Sequence, residues 1–381
     1  STSINKDDFN EEIDYLAATL SIAPNGAYAQ VLSKYFPRVL ALIADAALHP
    51  NFTEEDMEKE KARIIQSIRA NESNAEVIMK RVRQTLRYST AHPYGEYITE
   101  AQIAALSLDD VTNYYRKRFV PNNAYLVVTG DVNPEEVITL VNEHFADWQP
   151  YSEETPALYI PENVSETQIN FIDLPSAVQS EIRVTNLIDL KMSHPDYFPL
   201  LVANSILGGD FGSYINMNLR EEHGYTYGAF STFKTDKWTK GSFSIKTKVG
   251  NAVTAPAIVE ILKEVKRIQT TIVSDEKLAQ AKAQYLGQFV LATERPQTIA
   301  NYAINIKVRN LPEDFYKNYI ANINAVTKED VQRVANSYFL LENFRIIIVG
   351  KGSEIAKELE NIGFDGEKIS VKYFDKYGEA I

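Results

Sequence analysis

Residues 107–130 read SLDDVTNYYRKRFVPNNAYLVVTG. Residues 327–350 read TKEDVQRVANSYFLLENFRIIIVG, and the two stretches align without a gap at an offset of 220. Five positions are identical: Asp110 with Asp330, Val111 with Val331, Phe119 with Phe339, Asn123 with Asn343, and Gly130 with Gly350. Leu126, Val127 and Val128 align with Ile346, Ile347 and Ile348 as an apolar run. Each copy reads as a helix start, an amphipathic helix, a turn, and an apolar strand ending in Gly. The reading splits the chain into two related domains.

The match extends outward. Residues 53–68 align with 274–289 at an offset of 221, pairing the caps Thr53 and Ser274. Glu55 with Glu276, Met57 with Leu278, Lys61 with Lys282 and Ile65 with Leu286 stay in register. Helices are predicted over 9–16, 35–47, 53–70, 75–88, 134–145, 197–207 and 213–222, and strands over 20–23, 168–173, 181–188, 225–234, 242–249 and 344–349. Strands with an antiparallel look and helices in runs indicate an α+β fold. The expectation is two homologous sandwich domains, each a mixed, largely antiparallel sheet with helices packed on it. The Pro-rich polar stretch 149–165 is the linker candidate. It gives a first domain over 1–152, a linker over 153–165 and a second domain over 166–381. The chain starts at Ser1 without a Met and reads as a mature or trimmed chain.

The 381 residues include no cysteine, so disulfides and thiolate chemistry are excluded. The formal charge of −12 argues against nucleic acid and anionic membrane as partners. No apolar run approaches the roughly 20 residues of a membrane span. The five histidines, His49, His92, His144, His194 and His223, include no pair spaced to ligate zinc from one helix face. No nucleophile elbow, phosphate loop or dinucleotide fingerprint is present.

One segment stands out, LREEHGYTYGAFS at 219–231. Arg220 falls in the last turn of a predicted helix, Gly224 is its natural stop, and Tyr225 and Tyr227 fall on one face of the strand that follows. Arg220 and Tyr227 are thereby expected to meet at the helix–strand junction. A guanidinium and a phenol there could hold a peptide carbonyl or stabilise an oxyanion. The plainer reading is a helix-end Arg favoured by the dipole beside a packed Tyr. Gly208, Gly209 and Gly212 just before it read as a flexible break.

These residues carry a resemblance. The duplication, L-R-E-x-x-G-x-x-Y at 219–227, the preceding Gly208-Gly209, N-N-A-Y-L-V-V-T-G-D-V at 122–132 and F-T-E-E-x-M-x-x-E-K at 52–61 resemble the pitrilysin/insulinase-type zinc peptidases (the inverzincins). The family includes mitochondrial processing peptidase and paired bacterial zinc proteases. The resemblance covers nearly the whole chain. It implies pairs of homologous α+β domains whose halves close around a peptide. One half carries zinc; the other is often silent and lends an Arg and a Tyr to its partner. Those roles carry over to Arg220 and Tyr227, and substrate handling to Gly208, Gly209 and Gly212.

The chain departs from the active pattern. The H-x-x-E-H helix is absent, and would lie before residue 1, so the first domain is expected to be incomplete at its N-terminus. The family's third zinc ligand, a Glu in a stretch resembling I-L-x-E-I, corresponds to Ser67 in Ile64-Ile65-Gln66-Ser67-Ile68. A hydroxyl is a poor zinc ligand beside a carboxylate. Glu58 and Glu60 lie about two turns back. The second copy has Gln288 there. The implied function is a non-catalytic half, inactive alone, with no metal of its own. Its partners would be a zinc-bearing homologue and a peptide or unfolded protein, in a bacterial periplasm or outside the cell. The alternatives are an active zinc peptidase whose H-x-x-E-H segment is missing from this chain, and a structural assembly subunit like the core proteins of the respiratory cytochrome bc complex.

Overall fold

A computed structural model describes residues 3–23, 26–152 and 157–381. In order, the elements are α1 (Lys6–Tyr15), β1 (Thr19–Ala23), β2 (Gly26–Gln30), α2 (Phe36–Leu48), α3 (Glu54–Ala70) and α4 (Ala75–Tyr88). Next come α5 (Glu100–Ala105), α6 (Leu108–Arg118), α7 (Pro134–Phe145), β3 (Gln168–Asp173), β4 (Gln179–Ile188), α8 (Tyr197–Asn204) and α9 (Tyr214–Asn216). Then follow β5 (Ala229–Lys234), β6 (Gly241–Gly250), α10 (Thr254–Thr270), α11 (Asp275–Thr293), α12 (Pro296–Val308), α13 (Tyr319–Ala325) and α14 (Lys328–Tyr338). The chain closes with β7 (Arg345–Gly350), α15 (Gly352–Leu359), β8 (Gly363–Phe364), β9 (Glu367–Lys368) and β10 (Ser370–Phe374). The architecture is mixed α and β with an open mixed sheet. Among the described residues no helix is long and apolar enough to cross a membrane.

The chain forms two compact units. The first takes Ser1–Gln66, Glu100–Thr155 and Thr293–Ile304; the second takes Ser67–Thr99, Pro156–Ala292 and Asn305–Ile381. Each unit thus draws a helix from the other half of the sequence. The second unit includes α4, and the first holds most of α12. Ala75 and Pro296, which open these two helices, stand 221 residues apart, the offset of the outer match between 53–68 and 274–289.

The repeat is visible atom by atom at its helix starts. Ser107 accepts from the Asp110 amide, and Asp110 accepts from the Ser107 amide; Thr327 and Asp330 make the same reciprocal pair. Such a capping box satisfies two of the donors a helix end leaves open. Phe119 and Phe339 then end their helices at φ −87°, ψ 86° and φ −96°, ψ 80°. The outer match holds too: Thr53 accepts from Asp56 and Ser274 from Lys277, both at 3.2 Å. Lys61 Nζ donates to the Leu106 carbonyl, at the end of α5, at 3.0 Å, and Lys282 Nζ to the Asn324 carbonyl of α13 at 2.8 Å.

In the second unit the six strands run β10-β3-β7-β4-β6-β5. β10, β3 and β7 are parallel, while β7–β4, β4–β6 and β6–β5 are antiparallel. Alternation sends Ile169, Phe171, Ile182, Val184, Phe243, Ile245, Ile346 and Ile348 to one face. There they meet Leu200 of α8, Ile261 of α10 and Val334 of α14 in the main core. The other face has an apolar strip, Ile172, Ile347 and Val349, covered by Ile78, Met79 and Val82 of α4. Polar and cationic residues, including Arg183, Thr185 and Arg345, surround that strip. α4 begins cleanly because Asn74 accepts from Glu76 and Val77 at 3.0 and 3.2 Å.

Three sequence expectations change. The apolar run of the first copy, 125–130, forms no strand; among the described residues the first unit pairs only β1 with β2. A ladder needs a neighbouring strand edge within hydrogen-bonding reach, and among the described residues no strand pairs with 125–130. β7 is not the last strand, since β10 adds to β3. The strand that follows the helix in the LREEHGYTYGAFS segment starts at Ala229, not at Tyr225. Of the expected linker, 153–156 lie outside the described residues, and 157–165 has no regular structure. That stretch is nonetheless tied down: Leu187 donates to Asn163 Oδ1 at 2.7 Å, and Asn163 Nδ2 donates back at 2.9 Å.

Candidate functional site

Leu219–Ser231 folds at the junction between two helices and β5 in the second unit. α8 does not break at the glycines. It continues through Ser205–Gly209 as a wide π-type turn, and α9 continues the same way through Met217–Glu222. Gly208 and Gly209 therefore belong to a helix end, and the expected flexible break is corrected for those two. Single π turns in helices concentrate at functional sites. Gly208 is buried, and a Cβ there would stand 2.6 Å from the Ser231 amide nitrogen, so only glycine lets β5 approach. Gly212 has ordinary room around it, and its carbonyl accepts from Lys277 Nζ at 2.5 Å.

Two buried asparagines hold the junction. Asn216 Nδ2 donates to the Phe211 carbonyl at 2.7 Å, and its Oδ1 accepts from the Ala229 amide at 3.0 Å. Asn204 accepts at Oδ1 from the Ser231 hydroxyl at 2.9 Å. These bonds lock the glycine segment, the helix end and the start of β5 together. Sequence reading missed both residues; the signal was an amide inside an otherwise apolar helix, which must find partners when buried. Gly224 ends the helix at φ +64°, as predicted. The Tyr225 amide then donates to Leu219 at 2.8 Å.

Arg220 lies over the exposed ring of Phe211 at 5.7 Å, with Glu221 3.5 Å away. Phe211 in turn meets Phe230 edge-on at 5.3 Å. Tyr227 is 95% exposed, and among the described residues no hydrogen bond or ring contact joins it to Arg220. It stands off the ladder because Thr226 accepts from the Gly228 amide at 3.1 Å, and Thr247 donates to the Gly228 carbonyl at 3.1 Å. This local turn replaces the strand on which Tyr225 and Tyr227 were expected to share a face. His223 stacks on Tyr225 at 4.9 Å and lies 3.7 Å from Glu260. Burial alone would raise Glu260, but donors from Lys263 and Asn218 hold its carboxyl below the usual value.

The donor set does not fit zinc. Ser67 is exposed on α3, its carbonyl accepting from Asn71 at 2.9 Å. Gln288 is exposed on α11. His92 is buried between Tyr88 and Tyr94. Among the described residues, no three His, Asp or Glu side chains gather as a metal site would require.

Two models of one peptidase family match this chain. Residues 105–285 match "Peptidase M16 inactive domain", and residues 16–94 match "Insulinase (Peptidase family M16)". Among curated relatives, the "Uncharacterized zinc protease YmxG" of Bacillus subtilis is 22% identical over 84% of this chain and 77% of its own length. The human "Mitochondrial-processing peptidase subunit beta" is 23% identical over 85% of this chain and 67% of its own. The Helicobacter pylori "Non-peptidase homolog YmxG" is 22% identical over 84% and 73%. A crystal structure of a peptidase M16 inactive domain from Pseudomonas fluorescens shares the fold with a TM-score of 0.82 at 19% identity, covering 92% of this chain and 85% of that one.

Proposed function

This chain belongs to the M16 (insulinase) peptidase family, and on that premise we propose that it is a non-catalytic member that works beside a zinc-bearing homologue. Its two sequence-related halves, 1–152 and 166–381 about the linker 153–165, form one side of a peptide chamber. Arg220 and Tyr227 are presented to peptide held at the partner's metal, and the segment with Gly208, Gly209 and Gly212 guides the substrate. Both copies of the repeat lack the metal-binding carboxylate, with Ser67 and Gln288 at that position.

The observation that carries this reading is the contrast at the junction. Arg220 and Tyr227 are exposed, whereas the residues that hold their backbone, Asn204, Asn216 and Gly208, are buried. A site that must aim donors at a developing charge needs such rigid support.

The test is proteolysis of an unfolded peptide by a zinc-bearing homologue, with and without this chain. Purified chain should hold no stoichiometric zinc by metal analysis, and adding it should restore cleavage. Arg220→Ala should lower that cleavage roughly 100-fold. A fall in kcat marks oxyanion stabilisation, and a rise in KM marks ground-state carbonyl binding. The Arg220–Phe211 contact favours a second reading, a structural assembly subunit in which Arg220 only packs. Unchanged cleavage in Arg220→Ala and Tyr227→Phe would establish that one instead.

A further inference from the structure

The polar face of the sheet carries cations that the proposed function leaves unused. Arg87, near the C-terminal end of α4, is 8% exposed. Its Nη1 donates to Ser242 at 3.0 Å, and its Nη2 donates to Thr185 at 2.5 Å and to Ser244 at 2.9 Å. Its Nε is buried without a partner among the described residues. Arg345 is the cross-strand neighbour of Thr185, and among the described residues its guanidinium makes one bond, a long one to Asn170 at 3.5 Å. Among the described residues no carboxylate pairs with either guanidinium; Glu181, the nearby buried acid, is taken by Lys248 at 2.7 Å. Burial and the neighbouring Arg83 bring Arg87 down to about 10, and burial lowers Arg345 as well. A buried charge held only by neutral groups is costly and gains most from an anion.

Both arginines line a cavity of about 390 Å³, within the usual size range for small ligands. Tyr97 and Tyr377, stacked at 5.3 Å, form part of its wall. Two further lining residues, Glu162 and Glu379, are exposed. Their carboxylates would repel a phosphate dianion and attract an ammonium. A ligand for this cavity needs both charges, the negative one deeper.

We propose that the cavity binds a short peptide by its free C-terminal carboxylate, held by Arg87 and Arg345, with the peptide's ammonium at Glu162 and Glu379. A carboxylate accepts charge-assisted bonds from guanidinium donors, and Arg345, with one long side-chain bond among the described residues, has donors to give. The site is separate from Arg220 and Tyr227, and stands whether or not those residues serve a partner.

Calorimetric titration of the full chain tests it with trialanine, trialanine amide, N-acetyl-trialanine and inorganic phosphate. Trialanine should bind, the amide at least about tenfold more weakly, and phosphate should not displace it. Arg345→Met should lose about tenfold in trialanine affinity with its thermal midpoint retained. Because a sheet substitution can unfold the unit, Glu162→Gln gives an independent arm at an exposed position. It should weaken trialanine and leave N-acetyl-trialanine unchanged. No binding of trialanine, equal binding of the amide, or displacement by phosphate would overturn the proposal.

Discussion

The two copies of the repeat begin alike and end differently. Each opens on a capping box, runs eleven helical residues to a phenylalanine of the same backbone conformation, and turns through a short 3₁₀ segment. From there Arg345–Gly350 enters the sheet between β3 and β4, and Ile346 to Val349 are fully buried. The matching run 125–130 stays unpaired, with Tyr125 and Leu126 more than half exposed. Helix starts depend on contacts within four residues, so similar sequence produces similar structure. A strand depends on neighbours far along the chain, so the same apolar run has two outcomes.

The largest test of this difference is a matched truncation in the run. Ile348→Ala should destabilise the second unit by roughly 2–5 kcal/mol, as for a fully buried core residue. Its equivalent, Val128→Ala, is half-buried and should cost under about 1 kcal/mol. Urea unfolding followed by circular dichroism measures both, and equal losses would mean that 125–130 is paired after all. A smaller effect is expected at the caps, where the copies should agree. Thr327→Ala should cost about 1 kcal/mol through the lost N-cap bond. Ser107→Ala should lose helix at the start of α6 in the same way, read as faster amide exchange at Asp110. A cap effect in one copy alone would break the local half of the comparison.

The smallest effect concerns acid. The Ser107 hydroxyl and amide hold Asp110 below its usual value. At Asp330 partial burial opposes, but donors from Thr327 and Arg333 prevail and its carboxyl is also lowered. With folded values below unfolded ones, the caps stabilise above about pH 4 and lose that contribution as pH falls through the folded values. Carboxyl-carbon shifts should show both aspartates titrating below 3.8, the ordinary value. A normal titration at either one would separate the two boxes.

Much of the fold was legible because its signals are local. Thr53, Asn74 and Ser107 mark helix starts, and Gly224 a helix stop, each through bonds made within a few residues. The sites were legible only in part. Arg220 and Gly208 stood out by type and spacing, whereas the meeting of Arg220 with Tyr227 relied on a strand that Thr226 and Thr247 divert. Asn204 and Asn216 could be marked in the sequence only as amides among apolar helix residues, because an amide shows what it holds only once the groups it bonds are adjacent. Arg87 and Arg345 lie 258 residues apart, and nothing in their own surroundings in the chain links them.

By itself the sequence determined the duplication, the helices and their caps, the family, and the absence of a carboxylate where Ser67 and Gln288 stand. Those properties follow from residue type and short-range spacing. Tertiary structure alone decided which apolar run becomes a strand, which unit receives α4 and α12, and which arginines share a cavity. Each of these depends on contacts between distant segments, and the free energy of such contacts exists only when the chain has folded.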